Sequence, residues 1–183
     1  PLVVHLKNLG FEILNISLNG SQGGSIRLLM KKSGKKKISR QATDFLNLEK
    51  KSLLYDKVYL ENWVPKIKKN MKKLKKCVQE LKSLKYPVFG YGAPTKSVLM
   101  ISIAKLSSNE IDFVVEDNYL KVDKYIPKHG IAIKSVEELT KYSNFSIIIL
   151  AWNFSKDIVK KLKKLNSNIT FVMPLPKFEV KKY

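Results

Sequence analysis

Cysteine, histidine and arginine are scarce in this chain of 183 residues, and each shortage closes off a class of chemistry. Cys77 is the sole cysteine, so no disulfide can form within the chain. His5 and His129 are the only histidines, and with one thiol they cannot build a multi-thiolate zinc site. No Ser-His-Asp or Cys-His set stands out, nor a carboxylate pair with a glycosidase role, so the chain reads as one that binds rather than reacts. Long apolar runs are missing too. The longest, Ile147–Trp152, has six residues against the roughly 20 of a bilayer span, so no membrane association is expected. The opening PLVVHLKNLG has neither the charged flank nor the apolar core of a signal peptide, and a cytoplasmic location is expected. The first methionine is Met30, which leads us to expect a piece of a longer protein.

What is abundant is lysine. The formal net charge is +20, yet only Arg27 and Arg40 among the 35 basic residues are arginine. Readers of nucleic acid draw on arginine for bidentate base contacts and aromatic stacking. Lysines spread over helix faces and loops, with little aromatic interleaving, instead form a solvated basic surface. Nucleic acid is therefore not the expected partner. With 44% hydrophobic residues the chain can fill an ordinary core, and its length suits one domain or one domain plus part of another.

Residues 1–33 read as the end of one module. A helix end is capped by Gly10, and strands Phe11–Leu18 and Ser25–Lys31 flank a glycine-rich turn as a hairpin. An isolated hairpin is marginal in water, so it belongs to a larger sheet or packs on the rest of the chain. Residues 34–85 read as a linker with amphipathic helices. The stretch KKSGKKKISR (31–40) has no apolar periodicity, Leu46–Val64 reads as helix, and Pro65 suits the first turn of another. In Lys66–Leu84 the residues Ile67, Met71, Leu74, Val78 and Leu81 recur at spacings of 4, 3, 4 and 3, one stripe facing a core.

From residue 86 to 183 strand and helix patterns alternate. Strands are expected at Pro87–Phe89, Ile111–Val115, Ile131–Ile133, Ser146–Leu150 and Ile169–Met173, the last of them stopped by Pro174. Helices are expected at Pro94–Leu106, at Val136–Tyr142 with a Ser135/Glu138 capping box, and at Lys156–Leu165 capped by Ser155. Nearly continuous apolar strands predict an α/β fold, an open doubly wound, Rossmann-like, mostly parallel sheet. Its ligands would sit beyond the carboxyl ends of the strands.

Three strand ends carry suggestive residues. After the first come Gly90, Tyr91, Gly92 and Ala93: Gly90 permits a tight turn, Gly92 lets backbone approach a ligand, and the helix from Pro94 offers amides to an anion. Thr95 stands where a dinucleotide fingerprint has its third glycine, and Lys96 adds a point charge for a phosphate. After the second come Glu116, Asp117 and Asn118, placed where an acidic residue commonly accepts ribose hydroxyls. After the fourth come Trp152, able to stack on a ring, and Asn153, able to donate and accept. Taken singly, each reads equally well as a plain connection, a turn or a core lid. Together, at successive ends of one sheet, they point to a polar ligand.

VFGYGAPTKSVLM (88–100), IDFVVEDNYLKVDKYIP (111–127), IIILAWNF (147–154) and FVMPLP (171–176) resemble the C-terminal domain of the nucleotide-sugar C-methyltransferases, which use S-adenosylmethionine. Upstream, GFEILNISLNGSQGGSIRLLMKK (10–32) resembles the last two strands of that family's methyl-transfer domain, with its Gly-Gly-Ser-x-Arg signature at Gly23, Gly24, Ser25 and Arg27. The resemblance implies a zinc-binding N-terminal domain and a methyl-transfer domain before Pro1. A base there would remove a proton beside a keto group, and the resulting carbanion or enolate would take the methyl group. This chain would supply the nucleotide diphospho-sugar half of the cleft, inactive alone. Gly90, Tyr91, Gly92, Ala93 and Lys96 would lie near the diphosphate, with Asp117, Asn118, Trp152 and Asn153 flanking and Arg27 also on the substrate. The family's histidine before Gly-Gly is Gln22 here, its glycines near 123 and 128 are Asp123 and Lys128, and its prolines near 119 and 132 are Tyr119 and Ala132. A less turn-like loop 119–132 is expected. Two rival readings are a stand-alone Rossmann-like nucleotide-binding module without transfer chemistry and, behind it, a basic nucleic-acid-binding protein.

Overall fold

The computed structural model describes residues 2–21, 24–32, 38–53, 56–165 and 168–182. The chain divides into two compact units, residues 1–63 and 64–183.

In the first unit, helix α1 (Leu2–Asn8) ends at Gly10, whose φ of +80° lets its amide turn back onto the Lys7 carbonyl at 2.9 Å. Strands β1 (Phe11–Asn19) and β2 (Ser25–Lys32) then pair antiparallel, with a bulge between Ile13 and Asn15. The expected hairpin is present. Gln22 and Gly23, part of the turn and of the signature, lie outside the described residues. Helix α2 (Arg40–Lys51) starts at Ser39, whose hydroxyl accepts from the Ala42 amide at 3.1 Å and donates to Asn15 Oδ1 at 2.8 Å. That cap fastens α2 to β1, and Ile13, Ile16 and Ala42 form the small core.

Helix α3 runs unbroken over Lys57–Ser83, with the Asp56 side chain accepting from the Tyr59 amide at its start. Pro65 thus sits in the helix interior and not, as the sequence suggests, in a first turn. Its ring nitrogen cannot donate to the Glu61 carbonyl, so the helix has lost one bond there. The division between the two units falls just before it, at Trp63/Val64. The stripe behaves as expected: Met71, Leu74 and Val78 are buried, with Ile67 and Leu81 packed beside them.

The second unit is a seven-stranded sheet: β3 (Val88–Tyr91), β4 (Phe113–Glu116), β5 (Tyr125–Ile126), β6 (Ile131–Ser135), β7 (Phe145–Ile149), β8 (Ile169–Met173) and β9 (Glu179–Lys182). Their spatial order is β5-β6-β4-β3-β7-β8-β9. The five inner strands are parallel, and β5 and β9 are antiparallel edges. Ile169–Met173 is therefore not the last strand: the chain turns after Pro174 and returns as β9. Residues alternating along the strands feed two cores. Val88, Val114, Ile148 and Val172 face α3 and helix α4 (Thr95–Ala104). Phe89, Phe113, Ile147 and Phe171 face helix α5 (Ser155–Leu165) through Ile158 and Leu162. Each such side chain, fully buried, contributes roughly 1.5–3 kcal/mol of transfer free energy. The doubly wound α/β sheet is as the sequence predicts.

Residues 136–141 form a 3-10 helix rather than an α-helix, and Ser135 caps no amide with its side chain, so the expected capping box is not made. Loop 119–132 keeps its turns despite the missing glycines. Asp123 and Lys128 adopt φ of +61° and +71°, the left-handed region that glycine adopts freely. Among the described residues no helix is long and apolar enough to cross a membrane, and no group of three His, Cys, Asp or Glu could hold a metal.

Candidate functional site

The strand order reverses between β3 and β7. From β3 the chain passes through α4 to β4 on one side, and from β7 through α5 to β8 on the other. With α4 and α5 on opposite faces, the carboxyl ends of β3 and β7 are where a doubly wound sheet places its ligand.

The glycines there serve packing first. A Cβ on Gly90 would lie 2.8 Å from Leu150 Cδ1 and from Val114 Cγ2. Gly90 is therefore an interior strand residue whose absent side chain makes room for neighbours, not the pivot of a tight turn. Gly92 is the pivot: its φ is +88°, and a Cβ would fall 2.5 Å from that of Ala151. Its close approach is to Ala151 of the neighbouring strand end, where the sequence suggests a ligand. The Gly92 amide donates to Val115 O at 2.8 Å, and the Leu150 and Ala151 amides donate to Tyr91 O at 3.0 and 3.1 Å. Three strand ends are thereby stitched together.

Beyond this seam lie the polar groups. Glu116, which ends β4, accepts from the Ala93 amide at 2.7 Å with one oxygen and from the Asp117 and Asn118 amides at 3.1 and 3.2 Å with the other. Lys121 completes the brace, donating to Ala93 O at 3.1 Å with its ammonium 3.5 Å from Glu116. The Asn118 side chain accepts from the Leu120 amide, capping the short 3-10 turn Tyr119–Lys121. Helix α4 follows Pro94, whose carbonyl takes the Ser97 amide at 2.8 Å, so the Thr95 and Lys96 amides are the ones left without an intrahelical acceptor. In its first turn Lys96 places its ammonium 4.8 Å from the centre of the Trp152 ring, a cation–π contact. Trp152 and Asn153 share the 3-10 turn that precedes α5.

On the α5 face Tyr91, Asp117 and Lys161 form a linked group. The Tyr91 hydroxyl donates to Asp117 Oδ2 at 2.7 Å, and the Lys161 ammonium bonds Oδ1 and lies 5.9 Å from the Tyr91 ring centre. Burial, followed by the bond to the Asp117 carboxylate, pushes the Tyr91 phenol up to about 12. Burial alone would raise the pKa of Asp117, but the bonds from Lys161 and Tyr91 outweigh it and hold the carboxyl below its ordinary value. Lys161 moves up: its partial burial opposes charge, and the bonds to Asp117 and Tyr91 prevail.

Gly90, Tyr91, Gly92, Ala93, Lys96, Asp117, Asn118, Trp152 and Asn153 thus all stand at one sheet edge. Direct contacts join Lys96 to Trp152 and Tyr91 to Asp117. Arg27 belongs to the first unit, on β2 opposite Ser17. His5 is exposed on α1, and His129 shares a 2.8 Å hydrogen bond with Ser102. Three participants escape a reading of the sequence. Glu116 stands in the acidic triplet, but only its register shows that it braces the turn. Lys121 and Lys161 are two lysines among 33, and nothing in their spacing marks them.

The sequence profile of the C-methyltransferase C-terminal domain matches residues 20–176. C-methyltransferase NovU of Streptomyces niveus is 33% identical over 90 residues, which are 49% of this chain and 21% of that protein. The chain therefore spans about one fifth of the relative's length in that match.

Proposed function

The chain belongs to the C-methyltransferase C-terminal domain family, and from this membership we propose that it forms the nucleotide-sugar-binding half of the cleft in a methyltransferase using S-adenosylmethionine. In this reading residues 1–33 close the methyl-transfer domain, 34–85 connect, and 86–183 receive the nucleotide diphospho-sugar. Proton removal and methyl transfer belong to the upstream part of the protein, as does any zinc.

The observation that carries the proposal is Lys96, held over Trp152 in the first turn of α4 where the strand order reverses. A diphosphate there meets helix amides and an ammonium together. The Glu116–Lys121 brace fixes the backbone that presents them. In this reading the methyl donor, too, is held by the upstream domain.

The test is calorimetry of the 183-residue chain with a panel of nucleotide diphospho-sugars. Lys96→Ala is expected to weaken binding by about tenfold or more, the cost of one charge-assisted hydrogen bond. Unchanged affinity overturns the role of Lys96.

A further inference from the structure

A cavity of about 420 Å³ lies between the start of α5 and the β8–β9 turn, at the carboxyl edge and one strand beyond the switch point. Its floor is apolar, from Val159, Phe171, Met173 and Leu175, and its rim carries Lys156, Lys177 and Lys181 against the single carboxylate of Glu179. Lys181 is committed to that carboxylate at 3.0 Å, so the rim keeps a net positive charge on its Lys156 and Lys177 sides. An apolar floor under a cationic rim selects a flat or apolar group that carries an anion. A bare sugar, covered in hydroxyls, would gain little from it.

Along the chain the cavity lies close to the site already described. Lys156 follows Trp152 by four residues, so at most ~14 Å of backbone separates them. Leu175 in the cavity wall packs against the same apolar cluster as Trp152 and Ala93. We propose that this cavity is the subsite for the nucleoside end of the ligand: the heterocycle rests on Met173 and Leu175, and Lys156 and Lys177 take the phosphate nearest the ribose. The diphosphate then runs along the edge toward Lys96, and the sugar lies on the Lys96 side. This assignment rests on the nucleotide-sugar reading above and adds the direction in which the ligand lies.

The test uses the 183-residue chain with ¹³C-labelled methionine methyl groups, titrated with uridine 5′-diphosphate, thymidine 5′-diphosphate, glucose 1-phosphate and inorganic tripolyphosphate. The Met173 methyl signal is expected to shift with the nucleoside diphosphates, through the ring current of the base, and to stay put with the other two probes. Lys156→Ala and Lys177→Ala should each weaken nucleoside diphosphate binding about fivefold and leave glucose 1-phosphate unaffected, while Lys160→Ala, on the same helix but off the cavity, changes neither. If nucleoside diphosphates bind and respond to Lys96→Ala but leave Met173 and the Lys156 and Lys177 variants unmoved, the cavity assignment falls and the nucleotide-sugar reading stands. A Met173 shift equal for tripolyphosphate also overturns the assignment. If no nucleoside diphosphate binds, both fall.

Discussion

At the residue scale, two glycines one position apart fail for different reasons when given a side chain. The Cβ of Gly92→Ala meets Ala151, including its backbone nitrogen at 3.3 Å, with φ at +88°. Left-handed strain and overpacking together should cost about 2–4 kcal/mol. Gly90→Ala meets the buried side chains of Leu150 and Val114 at 2.8 Å but no backbone and has no left-handed strain, so overpacking alone should cost about 1–2 kcal/mol. Urea denaturation of both variants checks the order, and equal losses would deny Gly92 its special place. The Tyr91–Asp117–Lys161 group makes a second prediction. A phenol raised to about 12 stays protonated in the folded chain while the unfolded chain ionises near 10, so its stabilising effect is present below pH 10 and is lost as pH rises toward 12. Asp117, held low, acts in the opposite limb: its contribution is present above the unfolded carboxyl pKa and is lost as pH falls through the lower folded value. In spectrophotometric titration, Tyr91→Phe should remove an ionisation near 12, whereas an unchanged titration curve in that region would contradict the coupling.

At the scale of elements, the sequence reveals strands and hides their continuations. Val88, Ile147-Ile148-Ile149 and Ile169–Met173 are apolar because both sheet faces are covered, and that pattern reads directly from the text. Strand β9, Glu179–Lys182, does not, because an exposed edge strand of charged residues has no apolar signature. Pro65 misleads for the opposite reason. Its local preference for a first turn is outweighed by 18 residues of α3 that continue after it and bury Met71, Leu74 and Val78. Pro65→Ala restores an amide donor and should stabilise the chain by about 1–3 kcal/mol, read by urea denaturation with circular dichroism. Loop 119–132 shows that geometry outlasts composition. Lys128 holds φ of +71° without the freedom of glycine, so Lys128→Gly should gain on the order of 0.5–1 kcal/mol. Asp123→Gly should gain less, since aspartate tolerates that region better. No gain at Lys128 would mean that contacts of its side chain offset the strain.

For the molecule as a whole, the site was legible as a set of strand ends but not as a network. Sequence spacing brings Gly92, Asp117 and Trp152 to one edge; it does not reveal that Glu116 is occupied by amides or that Lys161 reaches Asp117 from α5. The net charge of +20 bears on the same site. A basic molecule draws any polyanion at low salt, so nucleotide-sugar affinity should fall with ionic strength, yet a built site keeps its preference where diffuse attraction is screened. Nucleic-acid binding that persists with a defined site size above 0.2 M salt would instead favour the basic-surface reading.

The most direct measurement is calorimetric titration of the 183-residue chain and its Lys96→Ala variant with nucleotide diphospho-sugars at about 0.15 M salt. The carboxyl-edge site requires saturable one-to-one binding by at least one member of the panel, weakened about tenfold or more in the variant. Affinity indifferent to Lys96, or no binding by any nucleotide diphospho-sugar, would contradict it.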